Sequence, residues 1–186
     1  MLYVTHSVDE LVRLADHVVM LDQGRVRSSG AAAEVLASPG TDSGFGEDAG
    51  LVTHCEVIER QAGVSIARVR FGGGTLWVED QGFSVGQTAR IRIRARDISL
   101  ALSMHADSSI ENQLPGLIES IDADTGRAEA IVAVRCGSER LLIRAPHRSV
   151  QRLKLVPGLA VWCPIKRVDI ILDPVTPRAG SRDDEA

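Results

Sequence analysis

"VGQTARIRIRARDISLAL" (residues 85–102) is echoed by "PGLAVWCPIKRVDIIL" (residues 157–172), and this echo decides the fold. Gly86 and Gly158 stand 72 residues apart, and Asp97 with Asp169, Ile98 with Ile170, Leu100 with Leu172 and Ile93 with Ile165 keep the same spacing. Apolar and polar residues alternate along the first copy, the two-residue period of a strand with one buried face. A hairpin with glycine at its turn precedes each copy, "VSIARVRFGGGTLWVED" (64–80) and "GRAEAIVAVRCGSERLLIRA" (126–145). The repeat predicts two copies of a five-stranded unit, each of roughly 50–60 residues. Units of that size close as small Greek-key barrels.

Upstream the pattern changes. Leu2 to Thr5 reads as a short strand that thrusts His6 out at its carboxyl end. Ser7, with Glu10 three residues on, has the form of a capping box. Val8, Leu11, Val12 and Leu14 then follow a helical period. "HVVMLD" (17–22) predicts a fully buried strand and "GRV" (24–26) a second one beyond a turn. "AAAEVLAS" (31–38) predicts a helix stopped by Pro39. A lone buried strand needs neighbours on both sides, so residues 1–38 read as the end of a larger α/β domain. The predicted fold is therefore mainly β: an α/β remnant (1–38), a Gly/Asp/Ser-rich linker (39–50), two tandem OB-like barrels (51–103 and 108–173) and a disordered tail (174–186).

Bulk composition narrows the function. Hydrophobic residues make up 44% of the 186-residue chain but aromatics only 3%, so the core must be built from Val, Ile, Leu and Ala. No apolar run approaches the ~20 residues of a membrane span, and no signal peptide opens the chain; a soluble cytosolic protein is expected. A formal charge of −4 argues against nucleic acid as a partner. Arg90, Arg92, Arg94 and Arg96 share one strand face, yet no aromatics interleave for base stacking, and a solvated face paired with neighbouring carboxylates is the expectation. Asp97 and Asp169 recur at equivalent places, as strand-end residues rather than a catalytic pair. Cys55, Cys136 and Cys163 are an odd number without a CxxC pair, so buried thiols are expected and no metal. His54 and Cys55 point to opposite faces of a strand.

The stretches "VTHSVDEL" (4–11) and "ADHVVMLDQGRV" (15–26) closely resemble the end of an ABC-transporter ATPase domain. By that resemblance His6 is the switch histidine that contacts the γ-phosphate of ATP. The chain itself has no G-x-x-x-x-G-K-[ST] loop, and its lysines, Lys154 and Lys166, lie outside any glycine loop. Without a phosphate cradle, phosphoryl transfer lacks both positioning and charge stabilisation. The chain alone is not expected to be an enzyme, and ATP belongs to a longer parent.

"SSIENQLPGLIESI" (108–121) is similar to the opening of the molybdate-binding Mop (TOBE-type) domain, with Ser109, Asn112, Leu114, Gly116 and Ile118 on its motif. "APHRSVQRLKLVPG" (145–158) resembles the second binding segment of that family through Arg148, Ser149, Val150, Leu153, Leu155 and Gly158. Together the resemblances imply the carboxy-terminal part of the ATP-binding subunit of a molybdate ABC importer. They imply an oxyanion site of Ser109, Ile110, Glu111, Asn112, His147, Arg148 and Ser149 for molybdate or tungstate. They also imply a regulatory role, a homodimer, a membrane permease partner and a place on the inner face of the cell membrane. The chemistry is coherent, because a buried tetrahedral dianion demands converging hydroxyl, amide and guanidinium donors. Glu111 stands where storage-type relatives carry arginine, and a carboxylate aimed at a dianion repels it. Two further readings remain: the TOBE tail of an importer for another solute, and a cytosolic molybdate store.

Overall fold

The computed structural model describes residues 2–36, 49–123 and 128–171. The linker expected at 39–50, but for its last two residues, and the tail at 174–186 lie outside the described residues.

The repeat is built as two copies of one sheet. The first module holds β3 (Gly50–Gln61), β4 (Ile66–Phe71), β5 (Gly74–Glu79) and β6 (Thr88–Arg94). The second holds β7 (Gln113–Asp122), β8 (Glu129–Cys136), β9 (Glu139–Pro146) and β10 (Ala160–Pro164), with α3 (His147–Arg152) between the last two. The spatial orders are β6-β3-β4-β5 and β10-β7-β8-β9. Both place the fourth strand beside the first, as in a Greek key.

The sequence repeat has a geometric cause. Gly86 and Gly158 both adopt φ +85°, a left-handed turn that favours glycine. Gly86 N–H donates to Val57 at 2.7 Å, and Gly158 N–H donates to Ile118 at 2.7 Å. Each acceptor sits at a register shift in its first strand, Val57/Glu59 in β3 and Ile118/Ser120 in β7. The shift bends the strand so that the sheet can curl into a barrel.

Neither module closes on itself. The last strand, β11 (Asp169–Ile171), follows the second module but pairs with β6 of the first, Ile170 opposite Ile91. Residues 98–101 follow the first module but pair with β10 of the second, through Ile98–Ile165 and Ala101–Trp162. Ala101 and Trp162 exchange both backbone bonds, at 2.9 and 2.8 Å. The exchange is not strictly symmetric: the mate of Ile98–Ile165 would join Ile170 to Ile93, two residues from the pairing observed. One apolar core results. Val57, Val69, Ile91 and Ile93 join Ile118, Val132, Leu141 and Ile143, all buried. Each such side chain contributes about 1.5–3 kcal/mol relative to exposure.

The two hairpin turns meet across this seam. Ser138 N–H donates to the Gly72 carbonyl at 3.1 Å, and Thr53 donates to Glu139 at 2.9 Å.

The amino-terminal elements depart from expectation. Leu2 to Thr5 forms no strand, and Leu2 and Val4 are 93% and 90% exposed, with no strand among the described residues paired to them. Ser7 caps α1 (Val8–Leu14) as expected, accepting from Glu10 N–H at 3.3 Å. The Glu10 carboxylate, however, accepts from the hydroxyls of Thr5 and Tyr3 rather than from the cap's own amide. Among the described residues β1 (His17–Asp22) and β2 (Arg25–Ala31) pair only with each other. Val18 is buried but Val19 and Leu21 are exposed, so the expected fully buried strand is covered on one side only. Val18 packs with Ala32 and Val35 of α2 (Ala32–Leu36) and with Leu11.

The arginine strip is solvated only in part, with Arg96 exposed and the expected carboxylate pairing met at Arg94. Arg92 is 2% exposed, and Arg94 pairs with Asp169 of β11 at 2.6 Å. Val52, opposite Arg92 on β3, is covered by Val8, Leu11 and Ile171. The sequence pattern is a correct strand signal, but α1 and β11 shield the face. Asp97 and Asp169 also differ: Asp97 offers its carbonyl to Lys166 N–H, whereas Asp169 takes ion pairs from Arg94 and Arg167.

Asp80 closes the turn after β5. Burial pushes its carboxyl up, but the Arg60 guanidinium at 2.8 Å and the amides of Phe83 and Gly82 outweigh it and hold the pKa below the usual 3.8. A depressed folded pKa stabilises the fold above the unfolded value and loses that contribution as pH falls through the folded one. Asp80→Asn is expected to lower the melting temperature at pH 7 and to flatten its fall below about pH 4. Melting curves of both proteins between neutral and acid pH check this.

Candidate oxyanion site

The loop before β7 is tied down by its own polar side chains. Ile110 N–H donates to Ser108 at 3.1 Å. Gln113 accepts from His105 N–H at 3.0 Å and donates to the carbonyls of His105 and Ile110 at 2.8 and 3.0 Å. Ser109 and Glu111 are exposed at its rim.

Asn112 does something the sequence did not announce. Its Oδ1 accepts from Trp77 N–H at 2.7 Å and its Nδ2 donates to the Trp77 carbonyl at 2.8 Å. The side-chain amide thus pairs with β5 as a neighbouring strand would, fastening the loop to the first module. Trp77 is itself backed by Arg68, whose guanidinium lies 5.4 Å from the indole centroid and donates to Thr75 at 3.1 Å. No local pattern betrays the Trp77 partnership, because it spans 35 residues.

His147, Arg148 and Ser149 open α3, immediately after Pro146 ends β9. His147 N–H donates to the Ala128 carbonyl at 3.2 Å, and the Ser149 carbonyl accepts from Leu153 N–H at 2.9 Å. Arg148 is exposed; His147 and Ser149 are half-buried.

The register places the two segments apart. Gln113 pairs with Pro164 at the end of the sheet where Cys136 faces Glu139. His147 follows Pro146, which pairs with Glu129 at the other end. An eight-residue strand such as β9 spans about 25 Å. Ser109, Ile110, Glu111 and Asn112 are therefore together, and His147, Arg148 and Ser149 are together, but one chain does not bring the two groups into a single cradle. His6 is exposed ahead of the Ser7 cap, within the amino-terminal elements rather than beside either group.

The cysteines are all buried thiols. Cys136 and Cys163 approach to 4.0 Å across Gly116, where an added Cβ would meet Cys136 Sγ at 2.8 Å. Their S–H···S contact holds the Cys136 pKa below the usual thiol value; the same contact, with burial, pushes that of Cys163 far up. Among the described residues no three metal-ligating side chains cluster.

Residues 108–172 match the family model of the TOBE domain. The chain is 41% identical over 170 residues to the molybdenum import ATP-binding protein ModC of Methylococcus capsulatus, covering 91% of this chain and 48% of that protein. It is 42% identical over 170 residues to ModC of Albidiferax ferrireducens (91% and 46% covered), and 40% identical over 172 residues to ModC 1 of Azotobacter vinelandii (92% and 47%). The chain thus spans about half the length of the curated relatives it matches. Among solved structures, the cytoplasmic molybdate-binding protein ModG with molybdate bound superposes with a TM-score of 0.58 at 20% identity, over 66% of this chain and 95% of that one. That likeness concerns the fold.

Proposed function

With a TOBE match over residues 108–172 and similarity to molybdenum import ATP-binding proteins over 91% of its length as premises, we propose that this chain is the carboxy-terminal regulatory part of a molybdate importer's ATP-binding subunit. It works as a homodimer on the cytoplasmic side of the membrane, with a membrane permease as the parent's partner. ATP is bound only by the complete parent, where His6 supplies a donor to the γ-phosphate.

The observation that carries the reading is that both candidate segments fall inside the TOBE match. Their separation within one chain calls for a second copy, with Ser109 to Asn112 of one protomer facing His147 to Ser149 of its partner. Arg148 supplies charge, the hydroxyls of Ser109 and Ser149 and free backbone amides supply neutral donors, and Glu111 turns to solvent. The oxyanion, molybdate or tungstate, then favours the arrangement in which both groups meet, since a ligand shifts only states it binds unequally.

Isothermal titration of the purified chain tests this. Heat with molybdate but not sulfate is expected, together with a shift to dimer in sedimentation. Arg148→Ala should weaken binding at least tenfold, the loss of one charge-assisted contact worth about 1.5–3 kcal/mol, while leaving the melting temperature unchanged because the side chain is exposed. No heat with any oxyanion would leave the TOBE tail of an importer for another solute. Several ions per oligomer without permease association would favour a store.

A further inference from the structure

We infer that β11 links the loop around Asn112 to α1, so that oxyanion binding alters the stability of the helix that follows His6. The inference rests on the oxyanion reading above and adds its route.

The contacts form an unbroken series. Ile165 N–H donates to the Asn112 carbonyl at 2.7 Å, so the loop that would grip the anion is bonded to the residue that leaves β10. Lys166 N–H then donates to the Asp97 carbonyl at 2.8 Å. Three residues later the chain enters β11, pinned by the Arg94–Asp169 ion pair. Ile170 enters the shared core, and Ile171 packs against Val52, the same buried residue against which Val8 and Leu11 of α1 pack. Leu11 is also the residue through which α1 touches Val18 and the pair Ala32 and Val35.

Two features make this series a switch rather than a brace. α1 has seven residues, too few to persist in water without tertiary packing. Its apolar grip on the first module is Val8 and Leu11 against Val52, which Ile171 of β11 also covers, so a shift of β11 disturbs the packing that holds the helix. β11 in turn is a three-residue strand at the edge of its sheet, the kind of element that opens at low free energy. A movement at Asn112 is therefore relayed to a short edge strand and from it to a short helix.

Hydrogen exchange on the whole 186-residue chain tests the relay, with sodium molybdate as the probe. In the unaltered protein molybdate should slow the amides of Trp77 and Ile165 beside the loop, and those of Leu11 and Ala15 in and after α1, each by about fivefold or more, the low end of allosteric couplings. Ile171→Ala and Leu11→Ala, on opposite sides of the contact, should keep the first response and lose the second. Protection at Trp77 and Ile165 with α1 unchanged overturns the relay and leaves the oxyanion site standing. An α1 response that survives both substitutions overturns the route through β11. No protection at either place overturns the oxyanion reading and the relay with it.

Discussion

Gly137→Ala is expected to cost the fold about 3–5 kcal/mol, beyond the usual range for a single substitution. Gly137 sits at φ +58°, where an alanine pays about 1–2 kcal/mol for the left-handed conformation. The larger part is steric. A Cβ there would run into the Gly72 carbonyl oxygen, and the Gly73 Cα lies 3.4 Å away. Those atoms are backbone, so no flexible side chain can yield. Relief requires the two hairpin turns to part, which breaks the Ser138–Gly72 bonds and disturbs Thr53–Glu139. A control separates strain from collision. Gly82 has φ +87° with nothing within 4 Å of an added Cβ, so Gly82→Ala should show the conformational cost alone. At roughly 2–4 °C per kcal/mol for a domain of this size, thermal melts should place the two variants about 5–10 °C apart. Equal melting temperatures would mean that the turns are not pressed together as described.

Asn112→Ala is expected to lower stability by about 2–3 kcal/mol in the absence of any oxyanion. The change removes two hydrogen bonds at once, each worth about 0.5–1.5 kcal/mol net, and leaves the Trp77 N–H and carbonyl without those partners. Asn112→Asp should be nearly as damaging, since a carboxylate still accepts from Trp77 N–H but faces its carbonyl with no donor. Chemical denaturation without molybdate checks this. If Asn112→Ala leaves the midpoint unchanged and harms only anion binding, its amide serves the ligand and not the seam. The resemblance casts Asn112 as an anion donor; the geometry makes it first a fastener, and its contribution to a ligand then comes through the loop it fixes.

What the sequence revealed follows physical range. The repeat is readable because its determinants are local: a glycine that favours a left-handed turn and alternating apolar positions recur at one spacing. The exchange of final strands was not readable, because Ile98 and Ile170 carry the same apolar character whichever sheet they join. The arginine strip shows the same limit. Alternation identifies β6, but Arg92 is buried, beside Val52 that Val8, Leu11 and Ile171 cover, and nothing near residue 92 encodes those elements. The apolarity of "HVVMLD" predicts burial on both faces, whereas Val19 and Leu21 are exposed among the described residues. At the candidate site, the two motif segments are each legible in the sequence, but their lying a strand's length apart is not.

The traded final strands bear on how such a chain can be divided. A cut anywhere between residues 103 and 112 gives two halves, each with an open edge and each holding the segment that would seal the other. Backbone donors and acceptors along such an edge recruit whatever strand is offered. A polypeptide carrying a single half would thus find its missing piece on a neighbouring molecule, and isolated halves mixed together should reassemble in preference to folding alone.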